Sequence, residues 1–175
     1  MIHLSLPKAE HAARFEQMIA EYREHDDIGI YTGFYEAAWD GFDAYRAMLE
    51  RLSPGGWPFP EVVPSETSFV MDGKEIVGEV YLRFRLAPVL EKDGGNIGYQ
   101  VRPRARNKGY ASAGLRLALK RLQEIGLSQA LLTCSERNAA SIRVIEKAGG
   151  VRIDDARLDD GTLNRRYTFQ IGMRG

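Results

Sequence analysis

Cysteine, histidine and long apolar runs are scarce in this chain, and each scarcity closes a class of function. A single cysteine, Cys134, cannot form an internal disulfide, so a reducing cytoplasm is the expected compartment. Histidine occurs only as His3, His11 and His25, which leaves no histidine base beside the basic stretch at 101–111. No apolar run approaches the roughly 20 residues that span a bilayer. The opening residues MIHLSLPKAEHAARF lack a cationic segment followed by a long apolar one, so neither a membrane partner nor a secretory signal is expected. Net charge is lacking too: 24 Lys and Arg balance 24 Asp and Glu, whereas a nucleic-acid partner normally leaves a strongly basic chain. With 175 residues, 44% hydrophobic and 27% charged, the composition suits one globular domain over 1–175.

What is present is concentrated in VRPRARNKGYA, Val101 to Ala111. The stretch leaves a predicted strand, IGYQV, and enters a long predicted helix. It carries Arg102, Arg104, Arg106 and Lys108 with no carboxylate, and it places Gly109 and Ala111 where larger side chains would obstruct a guest. A helix N-terminus exposes unpaired N–H donors and the positive end of its dipole, so a phosphate is the expected ligand. Neither GxxxxGK[ST] nor a complete GxGxxG occurs, which sets aside the common NTPase and dinucleotide loops. A basic solvated loop capping a helix is the plainer alternative.

The remaining elements follow from periodicity. Ile2, Leu4 and Leu6 alternate as a short strand, and Pro7 with Lys8 opens a helix bearing Ala12, Phe15, Ile19 and Tyr22 on one face with Met18 beside them. Residues 26–60 are expected to supply an acceptor-side helix and loop. They contain the aromatics Tyr31, Phe34, Tyr35 and Trp39, an amphipathic repeat of Phe42, Tyr45, Leu49 and Leu52, and the loop SPGGWPFP with Trp57 and Phe59. Ser65 to Asp72 and Lys74 to Leu86 read as a hairpin turned at Asp72-Gly73. In its second strand Ile76, Val80, Leu82, Phe84 and Leu86 face one way and Glu79, Tyr81, Arg83 and Arg85 the other. That second face is either solvated or lines a catalytic cleft. Gly98, interior to the next strand, marks a bulge or a close backbone approach. Helix 108–125 presents Ala111, Leu115, Ala118, Leu122 and Ile125 on one stripe and stops at Gly126. QALLTC suits a strand buried on both faces, and strand, helix, strand with tight connections implies a parallel pair. Asn138 caps a helix ending at Gly149, and a hairpin around Asp160-Gly161 closes the chain.

Arg106, Gly109 and Ala111 form R-x-x-G-x-A between a strand and a helix. Asn138, Ser141, Glu146, Lys147 and Gly149 follow in the order of an asparagine-opened helix ending like EKxGF. In this the chain resembles the GCN5-related N-acetyltransferases (GNAT), and in phrases such as LRFRL, GGNIGYQVRP and IEKAGG it resembles a group of predicted bacterial members of unknown substrate. The resemblance implies an α/β (α+β) fold: a mixed sheet of about six to seven strands, mostly antiparallel, with one parallel pair splaying to hold CoA, and about four flanking helices. It implies acetyl-CoA as co-substrate and no metal. Val101 would pair its backbone with the pantetheine arm, and Tyr99 or Gln100 would offer an N–H to the thioester carbonyl. Arg106, Asn107, Lys108, Gly109, Tyr110 and Ala111 would hold the pyrophosphate. Asn138 would contact the pantetheine region and Ser141 or Arg143 the adenosine end, although Asn138 is equally an ordinary helix cap.

Two departures from the family pattern bear on mechanism. Ile145 stands where many members carry a tyrosine acid, and Asn96 where some carry a glutamate. Gly150 also replaces the usual aromatic residue. An amine must lose a proton before it can attack a thioester, and the base expected from strand alternation is Glu79, assisted by Tyr81 or Tyr99. Cys134 as an acyl-carrying nucleophile is the alternative to direct transfer, and a small buried hydrophobe its plainer role. Eight carboxylates against two arginines over 21–50, opposite seven cations and one acid over 100–126, suit a cationic acceptor beside an anionic co-substrate. The expected partner is therefore a small-molecule or peptide amine, with the choice between monomer and homodimer open. A non-catalytic module that binds acetyl-CoA is the reading from another class.

Overall fold

The computed structural model describes residues 1–25, 40–53 and 63–172. Tyr31, Phe34, Tyr35, Trp39, Trp57 and Phe59 lie outside the described residues. The described elements run β1 (Ile2–Ser5), α1 (Ala12–Glu24) after a 3₁₀ turn at Ala9–His11, α2 (Phe42–Leu52), β2 (Ser65–Asp72) and β3 (Glu75–Arg83). There follow α3 (Pro88–Lys92), β4 (Ile97–Val101), a second 3₁₀ turn at Pro103–Ala105, α4 (Tyr110–Ile125), β5 (Gln129–Ser135), α5 (Ala139–Lys147), β6 (Val151–Arg157) and β7 (Leu163–Gln170). The strands form two sheets, β1-β2-β3-β4 and β5-β7-β6, and each ladder is antiparallel.

Two apolar clusters lie on opposite faces of the four-stranded sheet. On one face α4 buries Leu115, Ala118 and Leu122 against Val80, Leu82 and Ile97, together with Leu132, Tyr167 and Phe169 of the second sheet. Gly114 brings α4 close: a Cβ there would stand 3.2 Å from Val70 Cγ2. On the other face α1 and α2 bury Phe15, Met18, Ile19, Tyr22, Phe42 and Tyr45 against Phe69, Met71 and Ile76. Phe15 and Tyr45 stack there with centroids 4.6 Å apart. The helical stripes read from the sequence thus account for both faces.

A bulge in β3 corrects the expected alternation. Pairing passes from Val70 with Gly78 to Met71 with Ile76, leaving Val77 as an extra residue. The side-chain phase therefore flips: Ile76 joins the α1/α2 cluster, and Val77 joins Val80 and Leu82 beneath α4. Gly98 is neither bulged nor opened to a ligand. It pairs with Tyr81 in a regular ladder, and a Cβ on it would lie 2.8 Å from Tyr81 Cδ2, so the glycine makes room for the ring.

The expected parallel pair is reduced to a latch. β4 and β5 share no ladder; they meet where the Asn96 N–H donates to Leu131 O (2.6 Å) and the Leu131 N–H donates to Asn96 Oδ1 (2.8 Å). The buried Asn96 side chain also donates to Arg83 O (3.0 Å), restoring to β3 the bond that its own N–H has left. Gly95 permits the approach, since its φ is +63° and a Cβ there would fall 2.4 Å from Leu131 O. At Gly150, where the family pattern has an aromatic, a Cβ would meet Phe169 Cζ at 2.9 Å, so a ring from β7 fills that space.

Candidate active site

Beyond the latch, β4 and β5 face each other across a slot, and register decides which backbone groups line it. The Arg83 N–H donates to Asn96 O (2.8 Å) and the Arg102 N–H to Val77 O (3.1 Å). Hydrogen-bonded and non-bonded pairs alternate along an antiparallel ladder. Gly98 and Gln100 therefore bond to β3, whereas Ile97, Tyr99 and Val101 turn their N–H and C=O groups towards the slot. Of the two N–H groups expected to reach a thioester, Tyr99's is directed there and Gln100's belongs to the ladder. On β5 the Glu136 N–H bonds to Leu163 O, so by the same alternation Thr133 and Ser135 present their backbone to the slot.

At the far end of β4 the basic loop turns into α4. Gly109 is the N-cap with φ +83°, and Asn107 adopts φ +62°. Nothing lies within 4 Å of a Cβ built on Gly109, so its glycine is required by backbone conformation and not by crowding. The first intrahelical bond runs from the Ala113 N–H to Gly109 O (3.1 Å). The N–H groups of Tyr110, Ala111 and Ser112 therefore project from the helix mouth. The four cations divide into two pairs. Arg102 is bound to Glu21 and Arg104 to Glu24 (2.7 Å), whereas the exposed Arg106 and Lys108 stand at the mouth. Arg106 Nε donates to Val101 O (3.2 Å) and Lys108 Nζ to Arg104 O (3.0 Å), tying both to the loop.

The face of β3 that carries Glu79 is a buried polar cluster, and the solvated reading of it does not hold. Glu79 is 0% exposed. Its carboxylate accepts from Tyr45 Oη (2.6 Å), Gln100 Nε2 (2.7 Å) and Tyr81 Oη (3.2 Å). Burial pushes the Tyr81 phenol well above its ordinary 10.0, so Tyr81 is a donor at neutral pH. Tyr45 comes from α2, more than thirty residues away, and no local pattern linked it to Glu79. Gln100 joins this cluster to the strand that lines the slot.

Across the slot, Asn138 caps α5, its Oδ1 accepting the Ser141 N–H (3.0 Å). Ser141 O accepts the Tyr99 hydroxyl (3.4 Å), so the Tyr99 ring spans from β4 to the mouth of α5. Burial pushes the Tyr99 phenol up to about 12, which keeps its proton in place. Arg143 is exposed on α5. Ile145, 1% exposed, belongs to the core and carries no acid. Cys134 is buried among apolar residues, and burial raises its thiol above the ordinary 9.0. Among the described residues no group of three His, Cys, Asp or Glu could hold a metal ion.

Residues 3–151 match the Acetyltransferase (GNAT) domain family. The chain belongs to the GNAT acetyltransferases. It is an enzyme of acetyl transfer whose co-substrate, in this family, is acetyl-CoA. No curated protein matches it. Among solved structures, RimL, the ribosomal L7/L12 alpha-N-protein acetyltransferase, superposes with a TM-score of 0.70 at 12% identity, over 97% of this chain and 90% of RimL. The Microcin C7 self-immunity acetyltransferase MccE, solved with acetyl-CoA and AMP, gives 0.65 at 14% identity over 97% and 92% of the two chains. The acetyltransferase from Salmonella typhimurium that modifies the N-terminal serine of 50S subunit protein L7/L12 gives 0.64 at 12% over 97% and 94%. At these identities the likeness is one of fold. This GNAT chain's own residues suit the co-substrate: a mouth of outward N–H groups flanked by Arg106 and Lys108 fits a diphosphate, and the strand edges at Tyr99 and Val101 fit an amide-bearing arm.

Proposed function

We propose that the protein is an N-acetyltransferase that transfers the acetyl group of acetyl-CoA directly to a primary amine on a small molecule or an exposed peptide. In this reading Arg106, Lys108 and the N–H groups from Asn107 to Ala111 hold the diphosphate, and Val101 pairs with the pantetheine arm. The Tyr99 N–H meets the charge that develops on the thioester oxygen. Each lies at the slot or at its mouth. Asn138 and Ser141 border the arm from α5, and Arg143 extends towards the adenosine end.

Glu79 carries the second half of the reading. A buried carboxylate beside the co-substrate strand, with its oxygens held by two phenols and an amide, suits an acceptor that arrives as an ammonium and leaves its proton behind. Because Glu79 is enclosed, the proton reaches it through a tyrosine hydroxyl or a water and not by direct contact. Beyond Glu21 and Glu24, which are paired with Arg102 and Arg104, the acidic composition of 21–50 favours a cationic acceptor.

The experiment is thiol release from acetyl-CoA against a panel of small amines, amino acids and peptide N-termini. Turnover with amines and none with anionic or alcohol acceptors is expected; release only with anionic acceptors overturns the assignment. Glu79→Gln is expected to lower kcat by about 10²-fold or more while leaving acetyl-CoA affinity unchanged. Unchanged kcat removes Glu79 from the proton path.

A further inference from the structure

Among the described residues two acids are buried, Glu79 and Glu21. Glu21 sits on α1, remote from the slot in sequence and 2% exposed. Its Oε2 accepts Arg102 Nε (2.8 Å) and Nη2 (2.5 Å), and its Oε1 accepts the backbone N–H of Arg104. Arg102 is held from the other side as well, its Nη1 donating to Ile76 O (3.1 Å) and its own N–H to Val77 O (3.1 Å). One carboxylate thereby fixes Arg102, the first residue after β4, and Arg104, within the turn that follows. The tight turn that follows, with Ala105 N–H on Arg102 O (2.9 Å) and Arg106 N–H on Pro103 O (3.2 Å), starts from that anchor. It delivers Arg106, Asn107 and Gly109 to the helix mouth.

A carboxylate so near a phosphate site would oppose the anion if it were bare. Here it is matched by Arg102 and by a backbone donor, so its charge is consumed locally and its geometry is what remains. From this we infer that Glu21 is a positioning residue for the diphosphate: it holds the 102–106 turn in the shape that aims Arg106 and the N–H groups of the α4 mouth at a single point. The inference rests on the diphosphate reading above and goes beyond it, since Glu21, buried and bonded to Arg102 and Arg104, acts through the loop.

The test compares wild type and Glu21→Gln by calorimetric titration with CoA, and by kcat/KM for S-acetylpantetheine, which has the thioester arm without the diphosphate. Glutamine keeps the shape and loses the charge-assisted bonds to Arg102. The expected result is a CoA Kd raised by about tenfold with kcat/KM for S-acetylpantetheine within about twofold of wild type. Equal CoA affinity in the two proteins overturns the inference, as does a loss of the same size with both substrates, which marks a purely structural role. Failure of wild type itself to bind CoA defeats the parent reading instead. If Glu21→Gln does not fold, Arg102→Lys answers the same question, because it keeps the charge and loses the two-pronged grip.

Discussion

The residues that matter most in this protein are those whose polar atoms are buried with partners. Asn96 is the clearest case: it takes the position of a family glutamate but acts as a latch, serving Leu131 with its oxygen and Arg83 with its nitrogen. Asn96→Ala leaves both backbone groups without these partners and is expected to cost about 1–3 kcal/mol in urea unfolding; a change below about 0.5 kcal/mol would show that water replaces the side chain. Glu21 makes a pH prediction. Burial pushes its carboxyl up, but the Arg104 N–H and the Arg102 side chain outweigh that and hold it below the ordinary 4.5. A carboxyl depressed in the folded state stabilises it above the unfolded value and loses that contribution as pH falls through the folded value. The melting temperature of wild type should therefore drop more steeply below about pH 4.5 than that of Glu21→Gln; parallel curves contradict this. Cys134, with its thiol raised by burial, is expected to be replaceable by alanine with turnover intact. Loss of turnover in the folded variant would point to a covalent acyl-enzyme.

At the scale of elements, the helix mouth is the working part. Gly109→Ala places a Cβ on a backbone at φ +83°, a conformation costing about 1 kcal/mol or more for a non-glycine residue. Affinity for CoA should fall more than stability does, read by titration and by melting; a loss of stability alone would mean that the loop only caps the helix. The sequence shows why this element was legible, since Arg106, Gly109 and Ala111 are local and their spacing carries their chemistry. The helical stripes of α1, α2 and α4 were legible for the same reason. The β3 bulge was not, because its phase slip depends on pairing with Met71 across the hairpin. Nor was the burial of Glu79, whose hydroxyl partner Tyr45 arrives from another helix. The division of the four loop cations was equally hidden: Glu21 and Glu24, which bind Arg102 and Arg104, lie some eighty residues earlier.

Over the described residues as a whole, two antiparallel sheets meet at the Asn96–Leu131 latch and part beyond it, with helices α4 and α5 opening at the slot that results. Acetyl transfer in this account depends on that slot receiving the arm while the α4 mouth holds the diphosphate. The buried Glu79 cluster, with Tyr45 from α2, stands on the α1 and α2 side of the sheet, one strand from the outer edge of β4, and in this account the acceptor approaches from there. Calorimetric titration of CoA and of dephosphorylated pantetheine into wild type and Arg106→Ala tests this most directly. The account predicts one CoA bound per chain, tighter than pantetheine, with the advantage of CoA reduced in Arg106→Ala. Absence of CoA binding, or binding that neither Arg106→Ala nor removal of the diphosphate weakens, would contradict it.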